Sequence, residues 1–308
     1  MCRALVYLGQ PVLLDHLLYQ PDSSLVKQAF MPRKLHMLNL AGFGMVAWDR
    51  RSRAPETPFR YSSTALPIFD RNLKSLAEKI APSCVVAHVR GVHYSTDAII
   101  SPQNTHPFQF PGTRIALAHN GDLYRLGRMK DDLVRHMRPE IAAQIAGTTD
   151  SEIVYALLLS QLENPCGRIE HEEFKAAVPR TLEIIRDVRA MHGISISSSL
   201  NLFFSDGETA GGIRYCFDYG RYLDEDPAKV HEANLTFLSL WYTCGRSFGF
   251  HEGEWQMIGE SDAADSIIIA SEPLTVDATS WLEAPEYSML LADTQGGRPM
   301  IDIVYLDV

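Results

Sequence analysis

The chain has 308 residues, a hydrophobic content of 46% and 28 basic against 38 acidic side chains, which gives a formal net charge of −10. Such a length buries a substantial core, and the acidic balance excludes the basic surface that nucleic acids and anionic membranes require of their binding proteins. The longest strongly apolar stretch, residues 266–270, is far shorter than the roughly 20 residues of a membrane-spanning helix.

Apolar runs bounded by turn-forming residues predict the strands. In chain order these are 3–8, 43–48, 85–89, 115–118, 200–204, 235–242, 266–270, 288–292 and 301–305. Helical periodicity predicts helices at 153–162 and 174–191, with weaker candidates at 13–19, 73–80 and 129–137. Because strands cluster toward both ends and helices fill the middle, the order favours an α+β layered architecture over a doubly wound sheet.

No linker rich in Pro, Gly or Ser divides the chain, and no internal repeat is present. Residues 50–64 and 104–112 are predicted surface loops, and the polar stretch 218–233 is a predicted insertion between strands. We therefore expect a single domain over residues 2–308.

Cys2 is the first candidate for chemistry. Removal of Met1, which is common before a small residue, leaves a thiol and a free α-amino group on Cys2. Because an α-amino group titrates near about 7.7–8.0, it can act as a general base that generates the thiolate nucleophile. The alternative is an incidental cysteine at a frayed terminus.

The other cysteines are scattered, and none of the five forms a CxxC pair. The start of the chain also has no signal-peptide pattern. We therefore expect a reducing, cytoplasmic location with structural thiols at the remaining positions, which are Cys84, Cys166, Cys216 and Cys244.

Arg90 ends a predicted strand in the segment Ala87-His88-Val89-Arg90. Its planar guanidinium can bind a carboxylate through two hydrogen bonds, although an ordinary salt bridge at the surface is the alternative. Asn120-Gly121 follows the next strand, and this pair is either a simple turn or two convergent donors that form an oxyanion hole.

Asp150 lies at the start of a predicted helix, where Thr149-x-x-Glu152 fits a capping box. At that place Asp150 can hold an ammonium group of a substrate. The histidines match no zinc spacing, and neither GxGxxG nor GxxxxGK[ST] occurs. We therefore expect no metal and no cofactor.

In their order and spacing, these segments resemble the class II glutamine amidotransferases of the N-terminal nucleophile hydrolase superfamily. The resemblance is to the stand-alone branch, which includes the γ-glutamyl hydrolase of ergothioneine synthesis and the amidotransferase-type subunit of glutathione breakdown. The segments that carry the resemblance are Met1-Cys2-Arg3, Asn39-x-Ala41-Gly42-Phe43-Gly44 with Trp48, Ala87-His88-Val89-Arg90, Asn104-Thr105-His106-Pro107-Phe108, His119-Asn120-Gly121 and Thr149-Asp150-Ser151-Glu152.

The resemblance implies a four-layer αββα sandwich with two antiparallel sheets between helices. It also implies that Cys2 is the nucleophile with its own amine as base, and that Asn120 and Gly121 form the oxyanion hole. Arg90 then binds the α-carboxylate of a glutamine-like substrate, and Asp150 binds its α-amino group.

The sequence departs from the family at two places. Gly91-Val92-His93 follows the arginine where the family often has a hydroxyl residue, so His93 replaces that contact or reshapes the pocket. We count His93 and His106 among the expected substrate-binding residues. Ala41 stands where the family often has an acidic residue. This difference affects the expected structure of the surrounding loop and none of the expected chemical roles.

The implied reaction is hydrolysis of glutamine, or of a γ-glutamyl peptide or conjugate, through a γ-glutamyl thioester on Cys2. The second half of the chain has no nucleotide or phosphate motif that would mark an attached synthase. One alternative is a glutaminase subunit that delivers ammonia to a separate synthase, and another is a non-catalytic binding protein on the same fold. The expected partner is a small-molecule γ-glutamyl substrate, with a synthase only under the first alternative.

Overall fold

The computed structural model describes residues 2–34, 38–92, 99–223, 226–259, 264–293 and 300–308. Their strands are β1 (Arg3–Leu8), β2 (Phe43–Trp48), β3 (Phe59–Ser63), β4 (Cys84–Val89), β5 (Ala116–Gly121), β6 (Ser198–Ser205), β7 (Thr209–Phe217), β8 (Trp241–Gly245), β9 (Ser247–His251), β10 (Glu254–Ile258), β11 (Ser266–Ala270), β12 (Leu282–Glu283), β13 (Ser288–Asp293) and β14 (Met300–Tyr305). Their helices are α1 (Leu14–Leu18), α2 (Arg71–Ala77), α3 (Leu126–Val134), α4 (Pro139–Ala142), α5 (Asp150–Gln161), α6 (His171–Met191) and α7 (Pro227–Leu238).

The strands build two main sheets. A seven-stranded sheet has the order β12-β8-β11-β1-β4-β2-β3, and a five-stranded sheet has the order β14-β13-β7-β6-β5. Strand β1 is the middle strand of the larger sheet and pairs antiparallel with β4 on one side and β11 on the other. The first residues of the chain therefore lie at the centre of the fold.

The two sheets pack face to face through a dry core. Along β1 the side chains alternate, so that Ala4, Val6 and Leu8 face the smaller sheet while Leu5 and Tyr7 face the opposite side. The smaller sheet contributes residues of contrasting size to this core, such as Ala118 and Phe203. Small and large side chains interdigitate between the sheets, as aligned sheet packing requires.

Helices cover the two outer faces. Helices α1 and α2 pack on the larger sheet, and α3, α5 and α6 pack on the smaller one. In α5 every residue from Ser151 to Ser160 is buried, because sheet and neighbouring helices surround it, so it is apolar on nearly all sides. The predicted α+β class and four-layer αββα arrangement are confirmed.

Most predicted elements are present with shifted ends, but the predicted strand 235–242 is wrong. Helix α7 continues to Leu238, and β8 begins only at Trp241. The apolar residues of this segment serve a helix because Phe237 is buried against the rings of Tyr219 and Tyr287. An apolar run of this length does not by itself distinguish a buried helix end from a strand.

Both predicted surface loops need correction. The segment 50–64 contains edge strand β3, which pairs with β2. In the segment 104–112, Asn104, Thr105 and His106 are buried. Strand β7 was not predicted, because Gly211-Gly212 weakens its apolar pattern. Glycine is required at Gly211, since a Cβ there would lie 2.2 Å from the ring of Phe204. Within the described residues, no helix is long and apolar enough to cross a membrane.

Candidate active site

Cys2 lies directly before β1 and beside the end of β4. Arg3 pairs with Val89 in the β1–β4 ladder, which brings Cys2 next to the residues that follow β4. The Cys2 Sγ lies 3.7 Å from the Gly91 carbonyl oxygen, and the Gly91 N–H donates to Sγ at 3.5 Å. Only 8% of Cys2 is exposed. The thiol therefore occupies an ordered strand end in the middle of a sheet, not a frayed terminus.

Asn120 connects the backbone nitrogen of Cys2 to the smaller sheet. The Cys2 backbone nitrogen donates to Asn120 Oδ1 at 3.2 Å, and Asn120 Nδ2 donates to Ser271 Oγ at 3.3 Å. Ser271 Oγ also accepts from the Ala4 N–H at 3.0 Å. Because an amide nitrogen carries two hydrogens, Asn120 Nδ2 has a second N–H that could donate to a ligand.

Gly121 is a position that only glycine can fill. A Cβ built there would lie 1.9 Å from the Ser199 carbonyl oxygen and 2.6 Å from His119 Nε2. The His119 ring is itself held between Ser199 O at 3.1 Å and Ser151 Oγ at 2.9 Å. Since a carbonyl only accepts, Nε2 donates to Ser199 O, while the Ser151 hydroxyl beside Nδ1 also lies 3.2 Å from Asp150 Oδ1. The contact between His119 and Ser151 joins the end of β5 to the start of α5.

Arg90 lies within electrostatic reach of both Cys2 and Asp150. Arg90 is buried and donates from Nη1 to the Ile99 carbonyl oxygen at 2.9 Å. Burial lowers the pKa of Arg90, while the negative charges of Cys2 and Asp150 raise it. Its remaining guanidinium N–H groups form no hydrogen bond within the described part of the chain. Arg90 is therefore equipped to bind an anionic group of a ligand.

Asp150 opens α5 with both carboxylate oxygens engaged. Oδ1 accepts from the Ser151 N–H at 2.8 Å, and Oδ2 accepts from the Leu123 N–H at 2.7 Å. Oδ1 also accepts from the Ser151 hydroxyl at 3.2 Å, whereas Oδ2 has a further lone pair with which the group can accept from an ammonium.

Only half of the predicted capping box forms at α5. Thr149 Oγ1 accepts from the Glu152 N–H at 3.2 Å, as expected. The Glu152 carboxylate, however, accepts from Ala146 and Gly147 at 3.0 and 2.7 Å. It therefore fixes the turn before the helix and not the N-cap residue itself.

Asp122 follows the glycine of the proposed oxyanion hole. Water reaches this residue, yet the surrounding protein desolvates its carboxyl group, which with the nearby Asp150 charge raises the pKa of Asp122 to about 7. Sequence reasoning assigned Asp122 no role.

Arg3 and Glu272 form a buried ion pair behind Cys2. Arg3 Nη1 donates to the Cys2 carbonyl oxygen at 2.9 Å, and Nη2 lies 3.7 Å from Glu272 Oε2. Burial lowers the pKa of Arg3, whereas Glu272 and then Cys2 raise it. Two cationic side chains, Arg3 and Arg90, thus lie near Cys2.

His88 and His106 form a buried pair beneath the site. His106 Nδ1 and His88 Nε2 are 2.9 Å apart, and the outer nitrogens, His88 Nδ1 and His106 Nε2, have no partner among the described residues. Burial lowers the pKa of His88 to about 3 and that of His106 well below its usual value. Both rings are therefore neutral.

We expect this pair to make the protein sensitive to acid. In the unfolded chain both rings take up protons below about pH 6.5, whereas the folded state excludes them, so stability falls as the pH drops from about 6.5 toward 3. For His88 the loss is about 2 kcal/mol at pH 5. Urea unfolding at pH 7.5, 6 and 5 measures it.

The variant His106→Gln should unfold with a shallower pH dependence, since one of the two groups is gone. His136→Gln, which changes an exposed histidine, is the control and should keep the full dependence. Equal stability at pH 5 and 7.5 in the unchanged chain would contradict the conclusion that both rings are neutral in the folded state.

The structure brings Cys2, Asn120, Gly121, Arg90 and Asp150 to one end of the sandwich. His106 is buried against His88, and its unpartnered Nε2 leaves its role in substrate binding a prediction. His93 lies outside the described residues. Sequence reasoning missed Ser271 and Glu272, whose only signal is that each polar residue borders an apolar run, and it gave Asn104 no role although Asn104 lies in a segment of the resemblance. Among the described residues, no group of three or more His, Cys, Asp or Glu is arranged to hold a metal ion.

Comparisons with known proteins agree on one family. Residues 55–213 match the family described as glutamine amidotransferases class-II. The chain is 31% identical to the probable glutamine amidotransferase DUG3 of Saccharomyces cerevisiae, over 99% of this chain and 86% of that protein. It is 29% identical to the γ-glutamyl-hercynylcysteine sulfoxide hydrolase of Mycolicibacterium smegmatis, over 52% of this chain and 63% of that protein.

Solved structures agree on the fold. A glutamine amidotransferase class-II domain protein of Silicibacter pomeroyi superposes with a TM-score of 0.61 at 18% identity, over 99% of this chain and 100% of that one. The glutamine phosphoribosylpyrophosphate amidotransferase of Bacillus subtilis superposes with a TM-score of 0.56 at 14% identity, over 100% of this chain and 50% of that one.

Proposed function

We propose, for a chain that belongs to the class II glutamine amidotransferases, that it hydrolyses γ-glutamyl amides through a thioester on Cys2. The observation that carries the proposal is the 3.2 Å contact between the Cys2 nitrogen and Asn120 Oδ1. This contact places Cys2, which supplies the nucleophile and its base, directly beside Asn120, which supplies an oxyanion donor. Removal of Met1 is part of the proposal, because only then is that nitrogen an amine.

The substrate is bound by its glutamate portion. Arg90 receives the α-carboxylate through its free guanidinium N–H groups, and Asp150 accepts from the α-ammonium group. Both ends of the zwitterion are then held, and the γ-carbonyl carbon is presented to Cys2 Sγ. Selectivity for a γ-glutamyl group follows from the requirement for both charges.

Acylation begins when the Cys2 α-amine takes the thiol proton. The thiolate forms a bond to the γ-carbonyl carbon, and the oxyanion is stabilised by the second Asn120 N–H and the Gly121 N–H. The C–N bond then breaks, and the leaving amine or ammonia takes the proton from the α-ammonium group. The product on the protein is a γ-glutamyl thioester.

Deacylation uses the same groups in the same order. The α-amine takes a proton from water as the hydroxyl oxygen bonds to the thioester carbon, and the oxyanion is again held by Asn120 and Gly121. The C–S bond breaks, glutamate leaves, and the thiolate recovers the proton. None of these steps requires a group from outside the chain and water.

The second half of the chain supplies strands and helix α7 to the same sandwich, which argues against a synthase in that half. A stand-alone hydrolase is favoured over a subunit that delivers ammonia to a separate synthase by the name of one relative. The mycobacterial relative carries the name of a γ-glutamyl hydrolase. The subunit alternative predicts a protein that is nearly inert until its synthase is added.

The test is glutamate release from glutamine and from a panel of γ-glutamyl peptides and amides. Intact mass first establishes that Met1 is absent, and acid quenching during turnover then seeks one γ-glutamyl group on the peptide that contains Cys2. Release from a substrate together with this adduct supports the proposal. Processed protein that releases no glutamate and forms no adduct contradicts it.

A further inference from the structure

Asn104 is a buried amide whose bonding capacity is almost fully used. It ends the 3-10 turn Pro102–Asn104 and is 1% exposed. Its Nδ2 donates to the Ile99 carbonyl oxygen at 3.0 Å and to Thr148 Oγ1 at 3.0 Å, while Oδ1 accepts from the Thr148 N–H at 2.8 Å. Both amide hydrogens are thereby committed.

One of these partners leads to the proposed carboxylate-binding side of the site. The Ile99 carbonyl oxygen that Asn104 binds is also the acceptor of Arg90 Nη1, at 2.9 Å. A carbonyl with two lone pairs can accept from both. Asn104 therefore holds the acceptor that orients the Arg90 guanidinium.

The other partner leads to the proposed ammonium-binding side. Thr148 lies two residues before Asp150, and its backbone and hydroxyl are both bound by Asn104. The approach is close: a Cβ at Gly147 would lie 2.4 Å from Asn104 Oδ1. Asn104 thus fixes the turn from which α5 and the Asp150 carboxylate start.

A substrate zwitterion has a fixed distance between its two charges, so the groups that bind it must have a fixed distance as well. Arg90 comes from the end of β4 and Asp150 from the start of α5, and the two elements belong to different layers. Asn104 is bonded both to Ile99, which accepts from Arg90, and to Thr148, which lies just before Asp150. It therefore limits the relative motion of the two groups before a ligand binds, so that less conformational entropy is lost on binding.

We propose that Asn104 is a positioning residue that holds Arg90 and the start of α5 at one separation, so that the site selects ligands with both a free α-carboxylate and a free α-amino group. The inference rests on the proposed function. It predicts that γ-glutamyl compounds with a blocked α-amino group are poor substrates. Asn104 forms no hydrogen bond to Arg90 or Asp150, so its effect on both is indirect.

The decisive variant is Asn104→Asp, which keeps the shape and the acceptor for Thr148 but loses both N–H donations. The probes are L-glutamate, glutarate, which lacks the amino group, and 4-aminobutyrate, which lacks the α-carboxylate. In the unchanged chain we expect glutamate to bind at least about tenfold more tightly than either analogue. In the variant both preferences should fall about tenfold together.

Two further variants separate positioning from general damage. Thr105→Val removes a hydrogen bond to Ser101 O, 3.0 Å long, from an equally buried neighbour of Asn104, and it should leave both preferences within about twofold. Thr148→Val changes an exposed residue and removes only one acceptor of Asn104, and it should give a smaller loss of both. Loss of one preference alone in Asn104→Asp, or of neither, overturns the inference.

Hydrogen exchange makes this result independent of turnover. Asn104→Asp should speed amide exchange in 99–101 and in 147–151 together, whereas Thr105→Val should leave 147–151 unchanged. If the unchanged chain neither binds glutamate nor releases it, the proposed function fails and exchange alone decides the positioning role. Faster exchange in only one of the two segments overturns that role.

Discussion

Replacing Cys2 with alanine lowers the rate of γ-glutamyl hydrolysis by at least about 10⁴-fold, because removal of a nucleophile leaves only binding and the oxyanion donors. The fold should persist, since Cys2 precedes β1 and the ladders of that strand to β4 and β11 start beyond it. The measurement is glutamate release at saturating substrate, beside the thermal midpoint of each protein.

Cys166→Ala is the matched control, because it removes an exposed thiol far along the chain. It should leave the rate unchanged. A second comparison separates the thiol from the amine: a lysine inserted between Met1 and Cys2 prevents removal of Met1 and keeps the Cys2 nitrogen acylated. This protein should fold, retain an alkylatable thiol and lose hydrolysis. Full activity of Cys2→Ala would end the account of covalent catalysis.

Replacing Asn120 with alanine lowers kcat by about 10²–10³-fold, which is the usual cost of one oxyanion donor. The KM should change by less than about threefold, because in the proposed mechanism the Asn120 amide acts on the charge that develops during reaction, whereas Arg90 and Asp150 bind the ground state. Steady-state kinetics with one γ-glutamyl amide provides both constants.

Ser271→Ala tests how that amide is oriented. It removes the acceptor at 3.3 Å from Asn120 Nδ2 but leaves the amide itself, so the loss in kcat should be smaller than for Asn120→Ala. A large rise in KM with an unchanged kcat in Asn120→Ala would assign Asn120 to substrate binding and remove the proposed oxyanion hole.

The layered fold could be predicted from the sequence for those elements whose local pattern agrees with their tertiary environment. Strand β1 is a short apolar run and helix α6 has a clear period of 3.6 residues, because each has a uniform environment along its length. The boundary between helix and strand within 235–242 could not be predicted from the sequence. Phe237 is helical because it packs against Tyr219 and Tyr287, which are distant in the chain.

The residues with expected chemical roles were accessible through the spacing of short motifs, but their supports were not. Ser271 contacts Asn120 across 151 positions, and Asn104 reaches Thr148 across 44. Such contacts depend on which strands become neighbours, and an isolated Ser or Asn has no periodicity that reveals it. The pairing of His88 with His106 is of the same kind.

The central place of β1 separates folding from activation. Strand β1 is held on both sides by β4 and β11, so it is an internal scaffold that assembles whether or not the peptide bond before Cys2 has been cut. Under the proposed function, cleavage of that bond would convert an amide nitrogen into a base without rearranging the sheet. A tag fused ahead of Cys2 should therefore yield folded, silent protein.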